Sequence, residues 1–318
     1  MKKIVLAAKR PWNWKVFLVL VGLIIPAAFA ILPFALNLQN AYSDTDVTVS
    51  LGWETILLDR LVNILLIVVL GGIGLALANR IGLGMPFVEG WIKREPVPHR
   101  FRSATAIAWI TAVGVVLLIL FLQIAVFGPP MQTMFDEQGI EIPEEASAPP
   151  QYGFLAAISA GITEETLFRL FGLSLLGWLG GLLFHDSEGR PKLAVLWTAN
   201  LLFAIAFGAA HLLNVAIMEL PLNALIVTRT IVLNGIAGVA FGWLFWTFGL
   251  ESSMLSHFLL DVIIYTLIPL ATMPENETAR YLAIAGVVAL VLLTLVWALR
   301  TLITENRKYS TDNELKGV

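Results

Sequence analysis

The sequence predicts an all-α protein that crosses a membrane with about eight helices. Of its 318 residues, 58% are hydrophobic and 14% are charged, whereas soluble domains carry roughly 25% charged residues. An apolar run of about 20 residues is long enough to span a bilayer as a helix. Eight such runs occur, near residues 15–37, 55–78, 104–127, 151–176, 194–217, 222–248, 252–271 and 279–302.

The sequence alone does not fix the boundaries of two of these runs. The first has a basic start and an Ala-Phe-Ala stretch that resembles a signal-peptide cleavage site, but its apolar residues continue to Leu36. We therefore expect an uncleaved first span. The fourth run either ends near residue 176 or continues to Phe184, and the longer version requires a strong tilt or a break at a glycine.

The basic residues predict how the chain is oriented. Cytoplasmic connections of membrane proteins carry an excess of lysine and arginine. Sixteen of the 20 basic residues fall on one side, in the N-terminal segment, the second and fourth connections and the C-terminal end. The third connection is acidic. We therefore expect both termini to be cytoplasmic in a multi-pass protein of the bacterial inner (plasma) membrane.

The absence of cysteine and the small net charge limit the classes of function that the protein can have. The chain has no cysteine, which excludes disulfides, a cysteine nucleophile and a thiolate metal site. Its net charge of −3 argues against a nucleic-acid partner, which would require a basic face. The expected surroundings are a lipid bilayer.

A few ionisable residues lie well inside the apolar runs, where they are costly. Each costs about 2.5–3.5 kcal/mol at the centre of a membrane helix, so such residues usually pair with one another and mark a functional cavity. The set comprises Glu164, Glu165, Arg169, His211, Arg229, His257 and Asp261. We interpret Arg229 as a packing or snorkelling residue and the other six as a candidate site.

The two adjacent glutamates are predicted to have different partners. Glu165 and Arg169 are four residues apart on one helix face, in the order that favours an ion pair. Glu164 lies about 100° around the helix, so Arg169 cannot serve both carboxylates equally well. We expect Arg169 to neutralise Glu165 and Glu164 to remain available as a general base.

The two histidines are predicted to approach this carboxylate from other helices. His257 and Asp261 are four residues apart and share one face of the seventh span. His211 follows Gly208, Ala209 and Ala210, small residues that let helices approach closely. At about 1.5 Å per residue, His211 is expected roughly 25 Å from the cytoplasmic start of its span, which is farther outward than Glu164.

Together these motifs resemble those of the CPBP (Abi) family of intramembrane endopeptidases, which includes the type II CAAX prenyl endopeptidases. The matching pattern is Glu164-Glu165-x-x-x-Arg169, Phe207-x-x-x-His211 and His257-x-x-x-Asp261. The likeness covers about Gly153 to Pro269. On this basis residues 1–318 form a single membrane domain. Its first three spans (1–127) match nothing specific to the family. They are followed by a catalytic core (151–271), an eighth span and a cytoplasmic tail (303–318).

The resemblance implies a role for each site residue. Glu164 and His211 would activate water, and the His-x-x-x-Asn motif of the family, which stabilises the oxyanion, maps to His257 and Asp261. Asp261 stands where asparagine is usual, and an ionised carboxylate would repel an oxyanion. We therefore expect Asp261 to orient His257, with Glu165 and Arg169 as structural residues.

The resemblance also raises the question of a metal, because this family is often called a metalloprotease. Glu164, His211 and His257 would supply the three ligands of a catalytic zinc site. No His-Glu-x-x-His motif is present. The preferred interpretation uses no metal and no cofactor, with zinc as the alternative.

The sequence thus predicts an intramembrane endopeptidase whose substrate is a peptide or membrane protein, CAAX-like or otherwise membrane-associated. Two rivals come from other classes. A non-catalytic CPBP-type scaffold or immunity protein is favoured by Asp261. A proton-coupled transporter would also use intramembrane glutamate, histidine and aspartate, but the sequence shows no inverted repeat of the kind that many transporters have.

Overall fold

The computed structural model describes residues 11–42, 52–95, 99–141, 143 and 148–315, apart from the side chains of 99–100 and 306–315. Over these residues the chain is helical, with a single isolated bridge between His185 and Pro191. Eight helical spans are long and apolar enough to cross a membrane, which confirms the predicted all-α fold. They are numbered span 1 to span 8 in chain order: Trp14–Ala41, Trp53–Arg80, Phe101–Gln138, Pro150–Leu183, Leu193–Ile217, Ala224–Phe248, Leu250–Thr272 and Glu277–Glu305.

Span 4 is the longer of the two versions that the sequence allows. It consists of an α-helix over Pro150–Glu165, a π-helical stretch over Thr166–Leu173 and a second α-helix over Ser174–Leu183. The stretch widens the helix directly after the two glutamates without ending it. π-Helical turns are rare and often occur at functional sites.

Spans 3 and 7 also contain π-helical turns. In span 3 the turn covers Gln123–Phe127, between the α-helices His99–Leu122 and Gly128–Gln138. Span 7 begins as an α-helix over Leu250–Val262, widens over Ile263–Leu267 and ends with Ile268–Thr272.

A tight turn fixes the start of span 7. Gly249 separates it from span 6 and has φ +102°, a conformation that side-chain-bearing residues rarely adopt. The next backbone N–H, from Leu250, donates to the carbonyl of Gly84 at 3.0 Å. A short helix over Pro86–Ile92 follows Gly84, and the Glu251 carboxylate accepts hydrogen bonds from two of its backbone N–H groups, both at 2.9 Å.

Close helix contacts at glycines align the spans that carry the site. A Cβ atom on Gly161 of span 4 would lie 3.0 Å from the Met254 carbonyl oxygen of span 7. A Cβ on Gly208 of span 5 would lie 2.5 Å from the Ile231 carbonyl oxygen of span 6. Spans 4 and 7, and spans 5 and 6, therefore pack almost backbone to backbone.

Buried apolar clusters lie on two sides of these contacts. One includes residues of spans 1, 2, 4, 5, 6 and 7, such as Leu20, Leu75, Leu170 and Phe245. The other joins spans 3, 6 and 7 and includes Phe241. The polar residues of the site lie where spans 4, 5, 6 and 7 meet.

Candidate active site

Glu165 and Arg169 form a buried ion pair inside span 4. The Nη1 atom of Arg169 lies 2.8 Å from Oε1 of Glu165. Glu165 is 0% exposed and Arg169 is 2% exposed. Arg169 also donates from Nη2 to the Gly238 carbonyl of span 6 at 3.3 Å, and its guanidinium lies 4.4 Å from the centre of the Phe207 ring. The pairing predicted from the four-residue spacing is present in the structure.

Glu165 also holds the imidazole of His257. The Nδ1 atom of His257 lies 2.8 Å from Oε1 of Glu165, and Ser253 donates from its hydroxyl to Oε2. An ionised carboxylate only accepts hydrogen bonds, so Nδ1 must carry the proton. Three side chains, from Arg169, Ser253 and His257, therefore occupy both oxygens of Glu165.

The other ring nitrogen of His257 faces two further carboxylates. Its Nε2 lies 3.5 Å from Oδ2 of Asp261 and 3.9 Å from Oε2 of Glu164. His257 itself is only 4% exposed, and the ring of Phe241 stacks on it at 4.7 Å. The closer orienting contact of His257 thus comes from Glu165, while Asp261 lies on the Nε2 side together with Glu164.

Glu164 is the carboxylate that these contacts leave available. Its Oε2 is buried and has no hydrogen-bond partner among the residues that the structure describes. The side chain as a whole is 32% exposed, in contrast to the fully enclosed Glu165. Glu164 therefore lies at the edge of the polar cluster, where a small molecule could reach it.

His211 joins the site from the break in span 5. It lies between the helices Leu193–Ala210 and Leu212–Ile217, and its Nδ1 is 2.8 Å from the Phe207 carbonyl oxygen. Phe207 contacts both imidazoles, with ring centres 4.8 Å from His211 and 5.7 Å from His257. The ring of Phe207 therefore links His211 to the polar cluster around His257.

The length of span 4 explains why Glu164 and His211 lie at similar distances from the connection between spans 4 and 5. Nineteen residues separate Glu164 from Leu183 at the end of span 4, and eighteen separate Leu193, where span 5 begins, from His211. Both residues are therefore about 28 Å of helix from the connection between the two spans. The expected mismatch in depth is not seen along the helices, because span 4 continues to Leu183.

The structure thus brings together all six predicted site residues and adds Ser253. Ser253 lies four residues before His257 and so continues its helix face, which is a signal that the sequence contains. Its hydroxyl oxygen also lies 3.0 Å from the Phe241 carbonyl oxygen, so Ser253 contacts span 6 as well as span 4. Arg229 lies apart from these contacts and donates from Nε to Gln123 of span 3 at 2.7 Å.

Whether the site could hold a metal depends on how its ligands are arranged. Among the described residues, no group of three histidine, aspartate or glutamate side chains is placed to hold a metal ion. As placed in the structure, the described residues therefore do not form the three-ligand zinc site of the alternative interpretation.

Comparison with known families supports the predicted resemblance. Residues 147–263, just over a third of the chain, match the family model described as Rce1-like, type II CAAX prenyl endopeptidase. No curated protein and no solved structure matches the chain. The matched segment contains Glu164, His211, His257 and Asp261.

Proposed function

We propose that this chain, whose residues 147–263 are Rce1-like, is an intramembrane endopeptidase that uses a water molecule activated by Glu164. Its substrate is a membrane-associated or CAAX-like peptide or protein. One observation carries the proposal: two adjacent glutamates have separate environments. Glu165 is enclosed and fully engaged, whereas Glu164 keeps a buried oxygen without a hydrogen-bond partner among the described residues.

The position of the attacking water follows from the distance between Glu164 and His257. Their Oε2 and Nε2 atoms are 3.9 Å apart, so one water about 2.8 Å from each atom can contact both. Glu164 takes a proton from this water as its oxygen attacks the scissile carbonyl carbon. A carbon–oxygen bond forms and the carbonyl oxygen becomes an oxyanion. Glu164 then returns the proton to the leaving amine as the peptide bond breaks.

In this mechanism His257 stabilises the oxyanion. Its Nδ1–H is fixed by Glu165, and two carboxylates face its Nε2, an arrangement that favours a proton on that nitrogen as well. An imidazolium held in this way donates from Nε2 to the oxyanion. A preorganised donor of this kind is worth about 3–4 kcal/mol in the transition state. His211, whose ring centre lies 4.8 Å from that of Phe207, assists Glu164 in activating the water.

The test is cleavage by the purified protein in proteoliposomes. It is incubated with a library of membrane peptides, with and without a chelator, and products are identified by mass spectrometry. We expect cleavage that resists the chelator and is lost in Glu164→Gln. The control is Glu54→Gln, which makes the same change at the exposed start of span 2. Cleavage by Glu164→Gln at the wild-type rate would reject the mechanism, and loss of cleavage with chelator would favour the zinc alternative.

A non-catalytic scaffold is the second candidate, and the position of Asp261 favours it. Its carboxylate lies 3.5 Å from the nitrogen that would donate to the oxyanion. If the protein is a scaffold, the Glu164→Gln form will rescue a loss-of-function phenotype as well as the wild type does. A protease would fail to rescue.

We also propose the topology that the basic residues predict. Both termini, and the connection between spans 4 and 5, face the cytoplasm of a plasma membrane. The spans form one domain whose catalytic core is residues 151–271. Labelling of single cysteines placed at residues 188 and 275 from each side of sealed vesicles tests this orientation, since the chain has no cysteine of its own.

A further inference from the structure

Away from the candidate active site, a groove of about 470 Å³ lies between the start of span 3 and the end of span 8. The helices His99–Leu122 and Glu277–Leu315 pack against each other here. The groove is lined by Arg102, Leu293, Val296, Trp297, Arg300, Thr301, Thr304 and Glu305.

The lining is divided into an apolar part and a charged part. Leu293, Val296 and Trp297 are about half exposed or more on span 8 and provide a surface for hydrocarbon. Arg102 is the second residue of span 3, and Arg300 lies near the end of span 8, so the two guanidiniums are at the same end of the groove. With Glu305 as the single carboxylate, the formal charge of the lining is +1.

We propose that this groove binds an anionic phospholipid. Its phosphate would bind Arg102 and Arg300, and an acyl chain would lie along the three apolar residues. Arginine suits this role because its planar fork of donors matches a phosphate. Basic pockets between membrane helices on the cytoplasmic side are typical binding sites for anionic headgroups. The predicted orientation places this end of the groove in the cytoplasmic leaflet.

The expected contribution of the charges is large enough to measure. Each basic residue near an anionic membrane surface strengthens binding by about fivefold, so the two arginines together should contribute about 30-fold. A zwitterionic lipid has a cationic group beside its phosphate and should gain much less. The groove should therefore select phosphatidylglycerol over phosphatidylcholine.

The experiment is native mass spectrometry of the full chain released from nanodiscs that contain equal amounts of these two lipids. We expect the wild type to retain phosphatidylglycerol preferentially. The double variant Arg102→Gln/Arg300→Gln should bind it about 30-fold less tightly, and its phosphatidylcholine binding should not change. The Arg102→Lys/Arg300→Lys form, which keeps both charges, should retain most of the preference.

The matched control is Arg280→Gln, which removes one charge from the opposite end of span 8. It should bind like the wild type. If the double variant does not insert, each single variant should show about a fivefold loss. Equal retention of the two lipids by the wild type, or unchanged phosphatidylglycerol binding in the glutamine variants, would overturn the proposal. None of these outcomes depends on proteolysis.

Discussion

Replacing Arg169 with methionine should lower the free energy of unfolding by about 3–5 kcal/mol. The substitution leaves the Glu165 carboxylate buried, with Ser253 and His257 as its remaining partners. Removing one partner of a buried pair is costly because the other charge stays behind without water. The Arg169 side chain also contacts the Phe207 ring at 4.4 Å, and the loss of this cation–π contact adds to the cost.

The assay is a double-mutant cycle, with Arg169→Met, Glu165→Gln and both changes together, measured by reversible unfolding in mixed micelles. If the pair acts as a unit, the double variant is destabilised by much less than the sum of the single variants. Ordinary interhelical hydrogen bonds in membranes average only about 0.6 kcal/mol. A coupling free energy below about 1 kcal/mol would therefore refute the reasoning.

An exposed pair in the same chain is the control for this cycle. Arg190 and Asp186 are also four residues apart, at 3.0 Å, but they lie in the connection between spans 4 and 5. The Asp186 side chain is 39% exposed. The same cycle on this pair should give a coupling well below that of the buried pair, because exposed ion pairs are screened by water.

Three further predictions concern packing, the oxyanion and pH. Gly208→Ala should destabilise the protein by about 1–3 kcal/mol in the same unfolding assay, whereas Gly114→Ala, with open space around it, should not. Asp261→Asn should lower the rate of peptide cleavage, because it removes one of the two carboxylates that favour the second proton on His257; an unchanged or higher rate would contradict this. Backbone and side-chain hydrogen bonds from Arg190 lower the pKa of Asp186, so its stabilising contribution is present above the ordinary aspartate range. That contribution should be lost as the pH falls through the lowered pKa of Asp186, and the backbone amide proton of Glu188 should then exchange faster with solvent. Glu188 amide exchange that follows only its intrinsic pH dependence over this range would contradict the prediction.

The sequence predicts well those features of this protein that depend on spacing within one helix. The eight apolar runs correspond to the eight spans. The ion pair of Glu165 and Arg169 follows from their separation of four residues and the cost of an unpaired charge in a membrane. The shared face of His257 and Asp261 follows from the same helical period.

Contacts between helices are harder to predict from the sequence, because they depend on the axial offset between packed helices. Ser253 and Glu165 are 88 residues apart, and their hydrogen bond depends on the close packing of spans 4 and 7 at Gly161. The partner of the His257 Nδ1 atom depends on the same packing. A pattern within span 7 alone favours Asp261, which is the nearer residue in sequence.

The length of span 4 illustrates a second limit. Its three glycines after residue 176 look like places where a helix would end, since glycine is a poor helix former. In the folded chain these glycines are packing surfaces. A Cβ on Gly177 would lie 3.2 Å from the side chain of Ile81, and one on Gly180 would lie 2.6 Å from Val195. Tertiary packing therefore decides the length of this helix, and with it the depth of Glu164.

The most direct test of the account is a single-turnover cleavage in water enriched with oxygen-18, using any peptide that the library identifies. If Glu164 activates water for direct attack, the new carboxyl terminus of the product contains one heavy oxygen and the Glu164 side chain contains none. The Glu164→Gln form should yield no product. Heavy oxygen in the Glu164 carboxylate, or labelled product from the Glu164→Gln form at the wild-type rate, would contradict the account.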